Sequence, residues 1–130
     1  MMRVLLVDDD TNFRRSLAIG FEVQGYPVHE VKNGMEALEF LQVNQKSDNR
    51  VEAVIVDARM PGLDGFWLAD QISLMYPTLR VVILSAYPYP EKLGHYTLLP
   101  KPTHISMLIQ VLERELCTIG KNGPVSFGNR

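Results

Sequence analysis

The chain has 130 residues, which suits one domain with a single well-filled core, and its 46% hydrophobic and 22% charged residues are ordinary for a globular protein. A formal net charge of −2 gives no electrostatic footprint for nucleic acid or an anionic membrane, so neither is expected as a direct partner. Met1–Val7 has one Arg and too short an apolar run for a signal peptide or a span, and the lone Cys117 cannot pair internally; both point to the cytoplasm.

In chain order, the apolar run Val4–Val7 reads as a strand and ends in Asp8, Asp9 and Asp10. Phe13, Leu17 and Phe21 then stand on one helical face, which Gly25 closes, and the adjacent Arg14 and Arg15 read as a solvated face of that helix. Tyr26–Val31 is a weaker second strand, because it alternates and contains Pro27. Asn33 and Gly34 turn the chain into a helix with Ala37, Leu38 and Leu41 inward, followed by a polar loop over Asn44–Arg50.

A third strand runs through Val54–Val56 into Asp57. The helix after Gly65 buries Leu68, Ala69, Ile72 and either Met75 or Tyr76, and Pro77 stops it. A fourth strand, Val81–Leu84, runs into Ser85, and a fifth, Leu98–Leu99, into Pro100, Lys101 and Pro102. The last helix carries the apolar stripe Ile105, Leu108, Ile109, Leu112 and Leu116, with Cys117 as a small apolar residue in its last turn. Continuous apolar runs indicate strands covered on both faces, and right-handed crossovers then give a five-stranded parallel α/β sheet with helices on both sides. Residues 1–117 are expected to form the domain, and 118–130, rich in Gly and Asn, a flexible tail or linker stub.

The carboxyl ends of parallel strands share one edge, where ligands bind. Asp8, Asp9 and Asp57 at that edge would resist joint ionisation, and a divalent cation removes the conflict. Mg²⁺ suits best, since it takes oxygen ligands and prefers one or two carboxylates plus phosphate oxygens. One carboxylate can then attack phosphorus and become an aspartyl phosphate. Asp57 is the better nucleophile because it stands alone at its strand end, while the acid pair is better arranged to hold metal. Lys101 supplies a cationic charge and Ser85 a hydroxyl donor for the transferring group, with Pro102 stiffening the backbone beside the lysine.

Val7-Asp8-Asp9, Val56-Asp57 followed by Met60-Pro61-Gly62-Leu63-Asp64-Gly65, Leu84-Ser85-Ala86 and Lys101-Pro102 together resemble the receiver domain of two-component response regulators, the CheY-like superfamily. The resemblance covers residues 3–117. It implies a flavodoxin-like, doubly wound sheet of order 2-1-3-4-5, and a phosphoryl group passed to Asp57 from phosphohistidine on a sensor histidine kinase or a histidine phosphotransfer protein. It further implies that Asp9 ligates Mg²⁺ directly, with Asp8 helping through water and the Arg59 backbone carbonyl adding a ligand, and that Ser85 and Lys101 contact the phosphoryl oxygens. Such a chain is a signalling switch rather than an enzyme, catalysing only its own phosphorylation and dephosphorylation. It acts on a downstream partner or output domain, with homodimerisation left open.

Three departures stand out. The position three before the lysine, usually an aromatic switch, is Leu98, for which Tyr87 or Tyr96 are the available substitutes. Only fifteen residues separate Ser85 from Lys101, and Pro88, Pro90 and Gly94 among them leave the fourth helix short, displaced or absent. Arg59 and Tyr87, two after the acceptor and two after the hydroxyl, are expected to shield the acyl phosphate from water.

Other residues have plainer readings: Asp10 and Thr11 as helix caps, Asp64 as part of the Gly62–Gly65 turn, Trp67 as packing, and His29, His95 and His104 as surface or structural. A haloacid-dehalogenase-type phosphatase is a rival for the triple acid, but Asn12 stands where that family needs Thr or Val, and no acidic pair follows Lys101. A flavodoxin-like cofactor carrier lacks its phosphate loop here. The remaining alternative is a receiver-like interaction module that works without phosphorylation.

Overall fold

In β1 (Val4–Val7) all four side chains are buried, and alternate residues go to opposite faces of a sheet. Leu5 and Val7 join one core cluster, Val4 and Leu6 the other. The same split recurs in β3 (Ala53–Asp57), with Val54 and Val56 on one side and Ala53 and Ile55 on the other. It recurs again in β6 (Arg80–Ser85), where Val81 and Ile83 oppose Val82 and Leu84. A strand apolar on both faces must be covered twice, which is why its sequence shows no polar alternation.

These observations come from a computed structural model, which describes residues 2–60, 62–86, 97–101 and 103–122. With β2 (Val28–Val31) and β7 (Thr97–Pro100) the strands form a parallel sheet in the order β2-β1-β3-β6-β7. Two short strands, β4 (Arg59–Met60) and β5 (Leu63–Asp64), pair antiparallel outside it. Leaving those two aside, the order is the 2-1-3-4-5 expected from the sequence.

Helices α2 (Gly34–Asn44) and α3 (Gly65–Met75) cover one face through Ala37, Leu41, Leu68, Ala69 and Ile72. Helices α1 (Thr11–Val23) and α4 (Ile105–Asn122) cover the other through Leu17, Ala18, Phe21, Leu108, Val111 and Leu112. Each of the first three helices starts on the side chain that its sequence supplies. Asp10 accepts from the Phe13 N–H at 3.1 Å, Asn33 from Glu36 at 2.8 Å, and Asp64 from Phe66 at 2.9 Å. Gly25, at φ 92°, ends α1 in a conformation that few other residues adopt.

Several expectations are corrected. The second strand begins at Val28, because Pro27 cannot donate to the ladder and instead offers its carbonyl to the Val4 N–H at 3.0 Å. Tyr26 is freed to reach α4, where its hydroxyl donates to Glu113 Oε2 at 2.6 Å. Within the turn read at Gly62–Gly65, Leu63 and Asp64 form a short strand that pairs with Arg59 and Met60. Of Met75 and Tyr76, either of which the sequence allowed, Tyr76 is the one that packs against the core. Trp67 was expected to pack, yet it is 46% exposed. Helix α4 continues past Cys117 to Asn122. The segment in which the fourth helix was expected to be short, displaced or absent, with Tyr87, Pro88, Pro90, Gly94, His95 and Tyr96, lies outside the described residues, as do Pro102 and residues 123–130. Among the described residues no helix is long and apolar enough to cross a membrane.

Candidate functional site

Among the described residues, the buried polar or charged ones are Asp8, Asp57 and Ser85, and each stands at the carboxyl end of a sheet strand or just past it. Burying such groups is costly unless they meet partners, so their convergence marks the place where the fold tolerates polarity for a reason other than stability. The parallel register lines up these ends: Val7 pairs with Val56, Asp57 with Leu84, and Ser85 with Pro100. Lys101 follows directly, and its backbone N–H donates to the Ser85 carbonyl at 2.7 Å.

One carboxylate oxygen from each of Asp8, Asp9 and Asp57 lies within 4.8 Å of the others. Asp8 and Asp57 are buried, and Asp9 is exposed at the rim. The Lys101 ammonium bridges two of them, with Nζ 3.1 Å from Asp8 Oδ2 and 3.4 Å from Asp57 Oδ1. Asp8 Oδ1 accepts from the Asp10 N–H at 2.9 Å, and Asp57 Oδ1 accepts from the Arg59 N–H at 3.4 Å. A cavity of about 480 Å³ opens beside Asp57, lined by Ala58, Arg59, Met60, Ser85, Ala86 and Lys101.

The electrostatics are those of a strained acidic site. Burial, and then the neighbouring Asp8 carboxylate, push Asp57 above the usual carboxylate range, against the opposing pull of Lys101 and the Arg59 N–H. Burial alone would pull Lys101 down, but Asp8 and Asp57 outweigh it and hold the ammonium above its ordinary value. A single lysine therefore leaves the acids under-neutralised. The donor set is all oxygen, three carboxylates close together and one of them at the open rim, which fits a hard divalent cation.

The backbone holds Asp57 tightly. Its neighbour Ala58 donates to the Leu84 carbonyl at 2.8 Å and accepts from the Gly65 N–H at 2.9 Å. A β-carbon on Gly65 would lie 2.1 Å from the Asp57 carbonyl oxygen, so this close approach of α3 to β3 requires glycine.

The structure thus gathers Asp8, Asp9, Asp57, Arg59, Ser85 and Lys101 in one place. Leu98 is not there, since its side chain packs against the core cluster beneath α2 and α3. His29 is exposed and stacks on Phe40, and Asp64 serves as a helix cap. Two participants were missed. Arg14, read as a solvated residue, is only 12% exposed, donating from Nε to Glu30 at 3.0 Å and from its guanidinium to the Asp8 carbonyl at 2.7 Å. Phe13 presents its ring to Lys101 Nζ, 4.3 Å from the centroid. Only the adjacency of both residues to the acid triplet could have signalled this.

The family pattern described as "Response regulator receiver domain" matches residues 4–113. The chain is 29% identical over 120 residues to Regulatory protein AtoC of Escherichia coli (strain K12), covering 88% of this chain and 25% of AtoC. It is 27% identical over 120 residues to Sporulation initiation phosphotransferase F of Bacillus subtilis (strain 168), covering 88% of this chain and 93% of that protein. It thus spans a quarter of AtoC, and the aligned part is likewise 35% of the Mycobacterium response regulator MprA. The crystal structure of a CheY-like receiver domain protein from Methanospirillum hungatei JF-1 superposes with a TM-score of 0.81 at 22% identity, covering 95% of this chain and 99% of that one, and shows the same fold. With most of its length matched and its fold shared, the chain belongs to the response regulator receiver domain family of two-component signalling.

Proposed function

We propose that this receiver domain accepts a phosphoryl group on Asp57 with the help of Mg²⁺, and that the phosphorylated state changes what the domain binds. The observation that carries the reading is the convergence of Asp8, Asp57 and Ser85, the buried polar residues of the described chain, with Lys101 at one cavity.

An Asp57 carboxylate oxygen attacks phosphorus as the phosphorus–nitrogen bond of a donor phosphohistidine breaks. The bonding pair leaves with the imidazole, which takes a proton. Asp57 stands at the end of β3 beside the cavity, where its carboxylate can meet an incoming phosphoryl group. Lys101 places its ammonium against the charge that develops on the phosphoryl oxygens, and Ser85 supplies a hydroxyl from the same cavity. Asp9 and Asp57 would hold the Mg²⁺, with Asp8 and the Arg59 carbonyl completing the protein's share. Bound there, the ion would offset the carboxylate charge and act as a Lewis acid toward the transferring group. Asp8 suits the less direct role, because both its oxygens already accept, one from Asp10 and one from Lys101. The Arg59 side chain, exposed at the cavity rim, would slow hydrolysis of the acyl phosphate by shielding it.

The donor is a sensor histidine kinase or a histidine phosphotransfer protein in the cytoplasm. The output passes to a downstream protein or an attached output domain. The receiver unit is taken as residues 1–117. Incubation with acetyl phosphate and Mg²⁺ should give an adduct that hydroxylamine removes, as it does an acyl phosphate. No adduct, with Mg²⁺ still bound, would favour a receiver-like interaction module that works without phosphorylation.

A further inference from the structure

Among the described residues the Lys101 ammonium meets three partners, and one of them is not an acid. Besides Asp8 and Asp57, its Nζ lies 4.3 Å from the centre of the Phe13 ring, within the distance at which an ammonium is drawn to an aromatic face. The ring is itself fixed. Phe13 sits in the first turn of α1, where its N–H donates to Asp10 Oδ1 at 3.1 Å, and its half-buried side chain packs against the core cluster beneath α1 and α4. The Asp10 N–H in turn donates to Asp8 Oδ1, so one helix start places both the acid and the ring that face the lysine.

The two kinds of partner differ in what they demand. A carboxylate takes a directed N–H, and each carboxylate here is also wanted by a cation. An aromatic face attracts the charge without occupying any of the three ammonium donors. When the carboxylate oxygens turn to a metal ion, the ring is the partner for which nothing competes.

We propose that Phe13 is a positioning residue for Lys101: its ring holds the ammonium at the cavity while leaving its donors free to turn to an incoming phosphoryl oxygen. This rests on the phosphoacceptor reading for its consequence but not for its geometry.

The test compares wild type with Phe13→Leu, which keeps most of the apolar volume, and Phe13→Tyr, which keeps the aromatic face. In ¹H–¹³C spectra the Lys101 ε-methylene, assigned with Lys101→Arg, should show an upfield ring-current shift in wild type and Phe13→Tyr that is lost in Phe13→Leu. Phosphorylation by acetyl phosphate should slow by about three- to tenfold in Phe13→Leu and recover in Phe13→Tyr. Calorimetric Mg²⁺ affinity should stay within about twofold in both, because no metal ligand is touched. An unshifted Lys101 ε-methylene in wild type, or Phe13→Leu phosphorylated at the wild-type rate, would overturn the proposal. If wild type takes no phosphoryl group, the phosphoacceptor reading fails instead, and the ring-current shift alone decides whether Phe13 holds the ammonium.

Discussion

The carbonyl oxygen of Asp57 sits 2.1 Å from the point where a β-carbon on Gly65 would be, so the start of α3 rests directly on the end of β3. Neither partner is a flexible side chain, and an added methyl could be relieved only by moving backbone. Gly65→Ala should therefore cost about 1–3 kcal/mol in urea unfolding. It should also weaken Mg²⁺ binding by displacing the strand end that carries Asp57. Unchanged affinity and stability would show that the loop yields freely.

Burial and Asp8 raise the proton affinity of Asp57 in the folded chain. A raised carboxylate value means that the folded state binds the proton more tightly than the unfolded one, so the ionised group opposes folding. That penalty is fully present above the folded value. It fades as pH falls through that value and is gone below the unfolded one, near 3.8. Without Mg²⁺, Asp57→Asn should accordingly melt higher than wild type at pH 7, with the gap narrowing on acidification. Added Mg²⁺ should raise the melting temperature of wild type more than that of the variant. A variant that melts lower at pH 7 would contradict this sign.

Arg14 and Arg15 both meet Glu30, yet only Arg14 also reaches the Asp8 carbonyl. Arg14→Ala strips that contact and leaves Glu30 with a half-exposed partner. The expected cost is about 1–3 kcal/mol of stability and about tenfold in Mg²⁺ affinity, since groups that orient ligands matter nearly as much as ligands. Arg15→Ala, at an exposed position, should change stability by less than about 0.5 kcal/mol and leave affinity alone. Equal effects of the two on Mg²⁺ titrations would remove Arg14 from the site.

Stability and site chemistry should separate in the core. Phe21, fully buried on the inner face of α1, is remote from the acids in role; Phe21→Ala should cost about 3–5 kcal/mol in chemical denaturation. Below its own unfolding transition, the variant should bind Mg²⁺ as wild type does.

The sheet was legible because its three central strands are apolar on both faces, and that pattern has few other uses. The site was legible for a related reason: Asp8, Asp57, Ser85 and Lys101 each follow an apolar run, and parallel topology brings such ends to one edge. What escaped the sequence depends on where side chains fall in three dimensions. Phe13 obeys helical spacing whether or not a lysine lies above it, and Arg14 looks like Arg15 until Glu30 and the Asp8 carbonyl are placed. Trp67 is large and apolar, but it shares its face of α3 with Asp70 and Gln71 and is turned outward. The β4–β5 pair is two residues per strand, too short to leave a period.

The central claim is that Asp57 takes the phosphoryl group. Intact mass after incubation with acetyl phosphate, with and without Mg²⁺, tests it on wild type and Asp57→Asn side by side. One Mg²⁺-dependent phosphoryl adduct on wild type and none on the variant is the result expected. An adduct of equal size on Asp57→Asn, or none on wild type while Mg²⁺ binds, would contradict the account.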